Sequence, residues 1–108
     1  MKNIVVQVTD ASFENDVLRS QTPVLVFFWA VWAGPLEIIH PIVELIGIEY
    51  AGRLRVAKFY IDQNTKMPTN YNVKDVPTLI IFKKGILTAT KVGTLPLKQL
   101  REFIDSNL

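Results

Sequence analysis

Runs of apolar residues with the spacing of strands divide much of the chain. Residues 24–30 are apolar throughout and rich in aromatic and β-branched side chains, which is typical of a strand buried on both faces of a sheet. Shorter apolar runs at residues 4–8, 53–61, 78–82 and 87–92 predict four more strands. The last two flank Lys83-Lys84-Gly85, whose length and glycine are typical of a hairpin turn. The pattern therefore predicts five strands, the last two forming a hairpin.

Apolar positions with helical spacing predict the remaining elements. Asp10 precedes such a segment and is expected to cap a short first helix. A long helix is expected to begin near Pro35, to be kinked at Pro41 and to end before Gly52. The polar segment 62–76 has room for a short helix ending near Asn72, which could take a left-handed conformation. Residues 97–104 predict a terminal amphipathic helix.

The order of these elements predicts the fold class. The first half alternates strand, helix, strand, helix, strand, which favours parallel pairing with right-handed crossovers. The second half is an antiparallel hairpin followed by a helix. We therefore expect one α/β domain over residues 1–108, with a mixed sheet covered by helices on both faces.

Size and charge exclude several functions. No apolar run approaches the roughly 20 residues that cross a bilayer, and residues 1–8 lack the pattern of a signal peptide. Twelve basic and ten acidic residues give a net charge of only +2, and the basic residues are scattered. Because a nucleic-acid surface needs clustered positive charge, we expect neither nucleic acid nor membrane as a partner. A soluble, cytoplasmic protein is expected.

The chain contains no cysteine and a single histidine. Disulfide exchange needs an attacking thiolate, and structural zinc, iron–sulfur and c-type haem sites depend largely on cysteine. We therefore expect no metal and no cofactor. His40 lacks the partners of a metal site or a catalytic triad and is interpreted as a helix-surface residue. Asp62, Asn64 and Asp75 do not have the spacing of a calcium loop and are interpreted as turn and capping residues.

Four segments carry a family resemblance. A strand-to-helix motif F-W-A-x-W-C-G-P-C is similar to Phe28-Trp29-Ala30-Val31-Trp32-Ala33-Gly34-Pro35-Leu36, and a third strand with the turn after it resembles Val56-Ala57-Lys58-Phe59-Tyr60-Ile61-Asp62-Gln63-Asn64. Two later segments match Val76-Pro77-Thr78-Leu79 and Lys91-Val92-Gly93, in order and at the same spacing. The whole chain thus resembles the thioredoxin family. The resemblance implies a central five-stranded sheet of order 1-3-2-4-5 flanked by four helices, with the strands from residues 24 and 53 central. It also implies a cis peptide bond before Pro77.

The resemblance also places the family's reactive groups on this sequence. The two cysteines of the family correspond to Ala33 and Leu36, and its buried aspartate corresponds to Phe27. Its lysine is present as Lys58. Three of the four chemical groups are therefore missing, and we expect no catalytic residue and no enzymatic activity. Lys58 is interpreted as a residue whose stem packs while its ammonium group reaches water.

The resemblance implies a shallow groove around residues 32–36, the segment in which the family's two cysteines are replaced. In the family this region offers backbone groups to an extended peptide, and Val76 could still do so by strand addition. The expected lining residues are Trp32, Ala33, Pro35, Val76, Pro77 and Gly93. The alternative is that glycine and proline are present there only because the fold needs them.

Two functional interpretations remain open. All three replacements exchange a reactive or charged group for an apolar one, which favours a redesigned, stable and redox-inactive scaffold without catalytic activity. The alternative is a natural non-catalytic module that binds an extended peptide or protein at the groove around Trp32 and Pro77. We expect a monomer, with no partner assured and weak peptide binding at most.

Overall fold

The five predicted strands form one sheet. A computed structural model describes residues 5–33, 36–93 and 95–108 of the chain, with the backbone alone for residues 36–39. The strands are β1 (Val5–Val8), β2 (Val24–Trp29), β3 (Arg55–Tyr60), β4 (Thr78–Lys83) and β5 (Ile86–Val92). Their order in the sheet is β1-β3-β2-β4-β5. The expected topology is confirmed, with β2 and β3 in the interior of the sheet.

Pairing directions follow from the connections between the strands. The strands β1, β3 and β2 are parallel to one another, since a helical crossover separates each from the next along the chain. The strand β4 is antiparallel to β2, and β5 is antiparallel to β4. The mixed sheet is therefore parallel in its first half and antiparallel in its second.

Four helices in the described part of the chain flank the sheet. Three are α-helices: α1 (Leu36–Glu49), α2 (Lys66–Asn70) and α3 (Leu97–Asp105). The fourth, Glu14–Leu18, is wound with π-type bonds, and the Arg19 amide donates to the Glu14 carbonyl at 2.9 Å. A short 3₁₀ turn, Val31–Ala33, follows β2. Pro41 lies inside α1, as expected.

Asp10 caps a different helix from the one predicted. The π-type helix has Phe13 at its N-cap and no side-chain capping bond. The Asp10 carboxylate instead accepts from the backbone amides of Lys66 at 3.1 Å and Met67 at 2.9 Å, in the first turn of α2. The prediction was wrong about the target, because the first turn of α2 lies beside the loop that follows β1.

The core has one cluster on each face of the sheet. Successive residues of a strand point to opposite faces, so Ile80 and Ile81 belong to different clusters although both are fully buried. The cluster on the α1 and α3 face includes Leu25, Phe27, Val43, Ile46, Tyr50, Ile81, Leu100 and Ile104. The cluster on the other face includes Phe13, Val17, Val26, Phe28, Phe59, Ile80 and Phe82.

Left-handed backbone conformations occur at the turns that the sequence indicated. The β4–β5 hairpin closes through Lys84 and Gly85, with φ of 51° and 81°. A Cβ atom at Gly85 would lie 2.7 Å from the Leu18 carbonyl oxygen, so the hairpin turn depends on glycine there. Asn72 has a φ of 60°, which confirms the prediction for the end of the segment around α2.

Candidate functional site

Three segments lie at one end of the sheet. Phe28 at the end of β2 lies opposite Thr78 at the start of β4, and Thr78 lies opposite Val92 at the end of β5. The segments that extend these strands are residues 31–33, 76–77 and 92–93. Strand pairing thus brings most of the sequence-predicted binding residues to the same end of the sheet.

Pro77 and Gly93 are joined by the backbone. The Val76–Pro77 peptide bond is cis, and the Gly93 amide donates to the Pro77 carbonyl at 2.8 Å. Gly93 has a φ of 96°, a conformation that other residues rarely adopt. On the inner side, the buried Thr78 hydroxyl donates to the Asp75 carbonyl at 2.5 Å. These bonds fix the backbone on both sides of Pro77.

Three apolar side chains at this end of the sheet face solvent. In the 3₁₀ turn after β2, the exposed fraction is 51% for Val31 and 70% for Trp32. At the end of β5, 57% of Val92 is exposed. We call Val31, Trp32 and Val92 the apolar rim. The lining residues predicted from the sequence include Trp32 and omit the two valines, whose only signal is that they follow or end apolar strands.

A hydrogen bond holds the start of this turn. Asp62, in the loop after β3, accepts from the Val31 amide at 3.4 Å, and the Ala33 amide donates to the Ala30 carbonyl at 3.0 Å. Ala33, the residue after Trp32, is half-buried. The turn therefore presents a large indole and no polar side chain from residues 31–33.

Beneath this end of the sheet, Phe27 is packed in the core. It is 2% exposed, belongs to the cluster on the α1 and α3 face, and lies opposite Lys58 in the β2–β3 register. Lys58 is half-buried, and the described part of the chain contains no ion pair to it. Position 27, where the resemblance implies a buried aspartate, is therefore occupied by the aromatic ring of phenylalanine.

Comparison with known proteins decides the family. A family model described as Thioredoxin matches residues 4–106. The chain belongs to the thioredoxin family. A thioredoxin from Acidithiobacillus ferridurans is 55% identical over 108 residues, all of both chains. A thioredoxin from Pseudomonas aeruginosa is 47% identical over the same full length, and one from Allochromatium vinosum is 46% identical over 103 residues, 95% of this chain and 96% of its own.

Membership of the thioredoxin family confirms the fold that the resemblance implied. The chain has no cysteine at any position, including Ala33 and Leu36. Gly34 and Pro35 lie outside the described residues, and Leu36 is described only as the first backbone position of α1. The predicted roles of Gly34, Pro35 and Leu36 therefore stay predictions.

His40 differs from its predicted surface position on this thioredoxin fold. It is half-buried on α1, and its Nε2 lies 3.3 Å from the Tyr60 hydroxyl. Burial, and secondarily the charge of Asp62, raises the pKa of Tyr60. The prediction was wrong because Tyr60 points from β3 toward α1, on the same face of the sheet. The pair links α1 to the end of β3 next to Asp62.

Other chemistry finds little support in the described parts of the chain. No group of three or more histidine, aspartate or glutamate residues among them could hold a metal ion. No described helix is both long and apolar enough to cross a membrane. One buried polar atom there, the Trp29 indole nitrogen, has no hydrogen-bond partner. At the end of the sheet near Pro77, the groups available for contact are therefore backbone groups and the side chains of the apolar rim.

Proposed function

We propose that this chain is a redox-inactive member of the thioredoxin family that binds an extended peptide or protein segment without a covalent step. The observation that carries the proposal is the combination of a thiol-free chain with an exposed apolar rim at the end of the sheet where Val76 and Pro77 also lie. The positions of the family's two cysteines hold Ala33 and Leu36, which carry no reactive atoms, while the side chains of the apolar rim are exposed to solvent.

The loss of redox activity follows from chemistry. Thiol–disulfide exchange begins with attack by a thiolate, and this chain has none. Ala33 and Leu36 hold the places of the attacking and resolving cysteines. Phe27 holds the place of the carboxylate that handles the proton in the family. Restoring one group would therefore leave the reaction incomplete.

Binding is supported by exposure and by the backbone. Single exposed apolar residues are common on proteins, but neighbouring ones at the end of a sheet mark a candidate interaction surface. Val76 is half-buried and precedes the cis bond, so its backbone could pair with an extended segment while the apolar rim contacts side chains. A sequence chosen only for stability has no reason to leave Trp32 in water.

A redesigned scaffold without a ligand is the second candidate. It is favoured by Phe27, because replacing a buried carboxylate with a packed ring is what optimisation of a fixed backbone would choose. A melting temperature well above the roughly 45–65 °C of ordinary mesophile domains would support this candidate. An ordinary melting temperature together with saturable binding would support the binding module.

The redox half of the proposal is tested by disulfide exchange. A disulfide-bonded peptide is incubated with dithiothreitol, with and without the protein, and its reduction is followed. We expect the same rate in both samples. A rate that rises in proportion to protein concentration would overturn the proposal of a redox-inactive protein.

The binding half is tested with a phage-displayed library of cysteine-free peptides. Selected peptides that carry a fluorescent label are titrated with the protein while the fluorescence anisotropy of the label is followed, so that the parent and every variant are measured in the same way. We expect saturable binding that Trp32→Ala abolishes. The matched control is Ile48→Ala, which removes an exposed apolar side chain from α1 and should leave binding unchanged. Selection of no peptide, or equal binding by both variants, would contradict a binding role for this surface.

A further inference from the structure

The only histidine of the chain lies at one end of a series of polar contacts that leads to the apolar rim. His40 is half-buried on α1, and its Nε2 atom lies 3.3 Å from the hydroxyl oxygen of Tyr60. Histidine is the one side chain that ordinarily changes charge between about pH 5 and 8. A charge that appears on the ring in this range therefore appears directly beside Tyr60.

Tyr60 connects His40 with the loop that follows β3. Its side chain is only 8% exposed, and among the described residues its hydroxyl has no hydrogen-bonding side chain other than His40. Burial raises the pKa of Tyr60, and the charge of Asp62, two residues further on, raises it as well. The Asp62 carboxylate is thus close enough to act on this hydroxyl group.

Asp62 also holds the start of the turn that carries Trp32. Its Oδ2 atom accepts from the Val31 amide at 3.4 Å, and both residues are exposed. This distance exceeds the usual range for an N–H···O bond, so the bond is weak. A small movement of the carboxylate is therefore enough to break it.

We propose that His40 is a pH sensor for the 3₁₀ turn after β2: when its ring gains a proton, the Asp62 carboxylate leaves the Val31 amide and the start of the turn loosens. A protonated ring has two N–H donors and no acceptor, so the Tyr60 oxygen must accept from it and direct its own hydrogen elsewhere. That hydrogen and the new positive charge both attract the Asp62 carboxylate. The Val31 amide then bonds to water.

Further charged groups act on the protonated ring besides Asp62. Glu44 lies one turn further along α1 and is exposed, whereas Lys58 lies two residues before Tyr60, on the same face of the sheet, and is half-buried. Glu37 precedes His40 by three residues, and its side chain lies outside the described residues. The neighbouring strand β2 carries no charged residue. Carboxylates and the ammonium group act in opposite directions, and the proposal requires only that the ring gains its proton above about pH 5.

Loosening of the turn has a consequence for the proposed binding function. Because Val31 and Trp32 belong to the apolar rim, a loosened turn no longer holds these side chains in one place. We expect the labelled peptides to bind the parent roughly threefold to tenfold more weakly at about pH 5 than at about pH 8. This consequence rests on the proposed function, whereas the response of the turn does not.

Nuclear magnetic resonance of the isotope-labelled chain tests the sensor without any peptide. With a single histidine, the titration of its ring is followed without ambiguity. We expect the Val31 amide resonance to shift with the same midpoint as the His40 ring. In His40→Gln and in Tyr60→Phe, this shift between about pH 5 and 8 should disappear. The matched control, Glu44→Gln, removes an exposed charge from the same helix and should keep the Val31 response.

The result on the unmodified chain stands apart from any folding defect of the variants. A Val31 amide whose resonance does not follow the His40 ring would overturn the proposal, and so would a Tyr60→Phe variant that responds as the parent does. Peptide binding should be independent of pH in His40→Gln. Equal binding by the parent at both pH values would overturn the regulation of binding. If no peptide binds at either pH, the proposed function fails, and the Val31 titration alone decides whether the sensor exists.

Discussion

Phe27 and Lys58 are neighbours across β2 and β3, at two positions where the resemblance implies an aspartate and a lysine. The Phe27 ring is buried in the core. Lys58 is half-buried and forms no ion pair with a carboxylate among the described residues. Burying an unpaired charge is costly, and burying a ring is favourable by roughly 2 kcal/mol. Phe27, at the position where the resemblance implies a buried carboxylate, therefore adds to the core.

The Phe27→Asp variant should show this balance. We expect the free energy of unfolding to fall by about 3–5 kcal/mol at neutral pH, because the change removes the ring and buries a carboxylate. Burial raises the pKa of such a carboxyl in the folded state, so the folded form holds the proton more tightly and the loss is smaller at acidic pH. Urea unfolding at both pH values measures this.

Phe27→Leu is the control for Phe27→Asp, with an expected loss under about 1.5 kcal/mol at either pH. An equal loss for Phe27→Asp at acidic and neutral pH would show that its carboxyl is not held in the core.

Restoring the two thiols should return only part of the family's activity. In Ala33→Cys/Leu36→Cys, the first thiol lies next to the start of α1, where thiolates are stabilised. Phe27 still lacks a carboxylate to move the proton. A positioned acid or base contributes a factor of roughly 100 or more, so adding Phe27→Asp to the double variant should raise its rate of disulfide reduction severalfold at least. Equal rates for the double and triple variants would contradict this role of position 27.

At the scale of elements, Asp10 ties the loop after β1 to the start of α2. The backbone amides of Lys66 and Met67 have no intrahelical acceptor, and the Asp10 carboxylate satisfies both. We expect Asp10→Ala to lower the free energy of unfolding by about 1 kcal/mol. Asp10→Asn keeps one acceptor oxygen and should lose less. An unchanged free energy of unfolding in Asp10→Ala, measured by chemical denaturation, would show that the capping bonds contribute nothing.

The contact between Tyr50, directly after α1, and Asp105 of α3 should make stability depend on alkaline pH. Burial, together with the 2.8 Å bond that the Tyr50 hydroxyl donates to Asp105, raises the pKa of Tyr50 to about 12 from 10.0. Because the folded-state value is the higher one, the contribution is complete below pH 10.0 and is lost as pH rises to about 12. The loss is on the order of 2 kcal/mol.

Tyr50→Phe tests this contribution. It should reduce stability by about 1 kcal/mol at neutral pH, through the lost hydrogen bond, and give a shallower fall above pH 10.0. Some alkaline loss should remain, because burial also raises the pKa values of Tyr60 and Tyr71. Denaturation across the alkaline range measures the slope. A parent and variant with the same slope would exclude Tyr50 as its source.

Local patterns predicted most of the elements, and contacts between distant segments account for what they missed. The apolar run at residues 24–30 can be satisfied only in the interior of a sheet, which is where β2 lies. The capping role of Asp10 toward α2 joins residues 56 and 57 positions apart, so no local pattern carries it. The half-burial of His40 likewise depends on Tyr60 of another element.

At the scale of the whole molecule, the sequence predicted the absence of thiol chemistry and not the shape of the surface that remains. The missing cysteines are visible in the sequence without any structure. The exposure of Val31 and Val92 depends on which elements cover the end of the sheet. No sequence period distinguishes an apolar residue covered by a helix from one that faces water at the edge of a sheet.

The sheet joins two core clusters, so the molecule should unfold as one unit. With a radius of gyration of 12.6 Å, it is as compact as expected for a single domain of this length. Ile80 and Ile81 are adjacent on β4, fully buried, and packed into opposite clusters. Either isoleucine therefore supports the same sheet from a different face.

Ile80→Ala and Ile81→Ala form a matched pair for this test. Each should lower the free energy of unfolding by about 2–5 kcal/mol through the cavity it leaves. In each variant, unfolding followed by tryptophan fluorescence and by far-ultraviolet circular dichroism should give one coincident transition, because neither cluster can persist without the sheet. Transitions that separate in one variant only would mean that the cluster on that face unfolds on its own while the other holds the sheet.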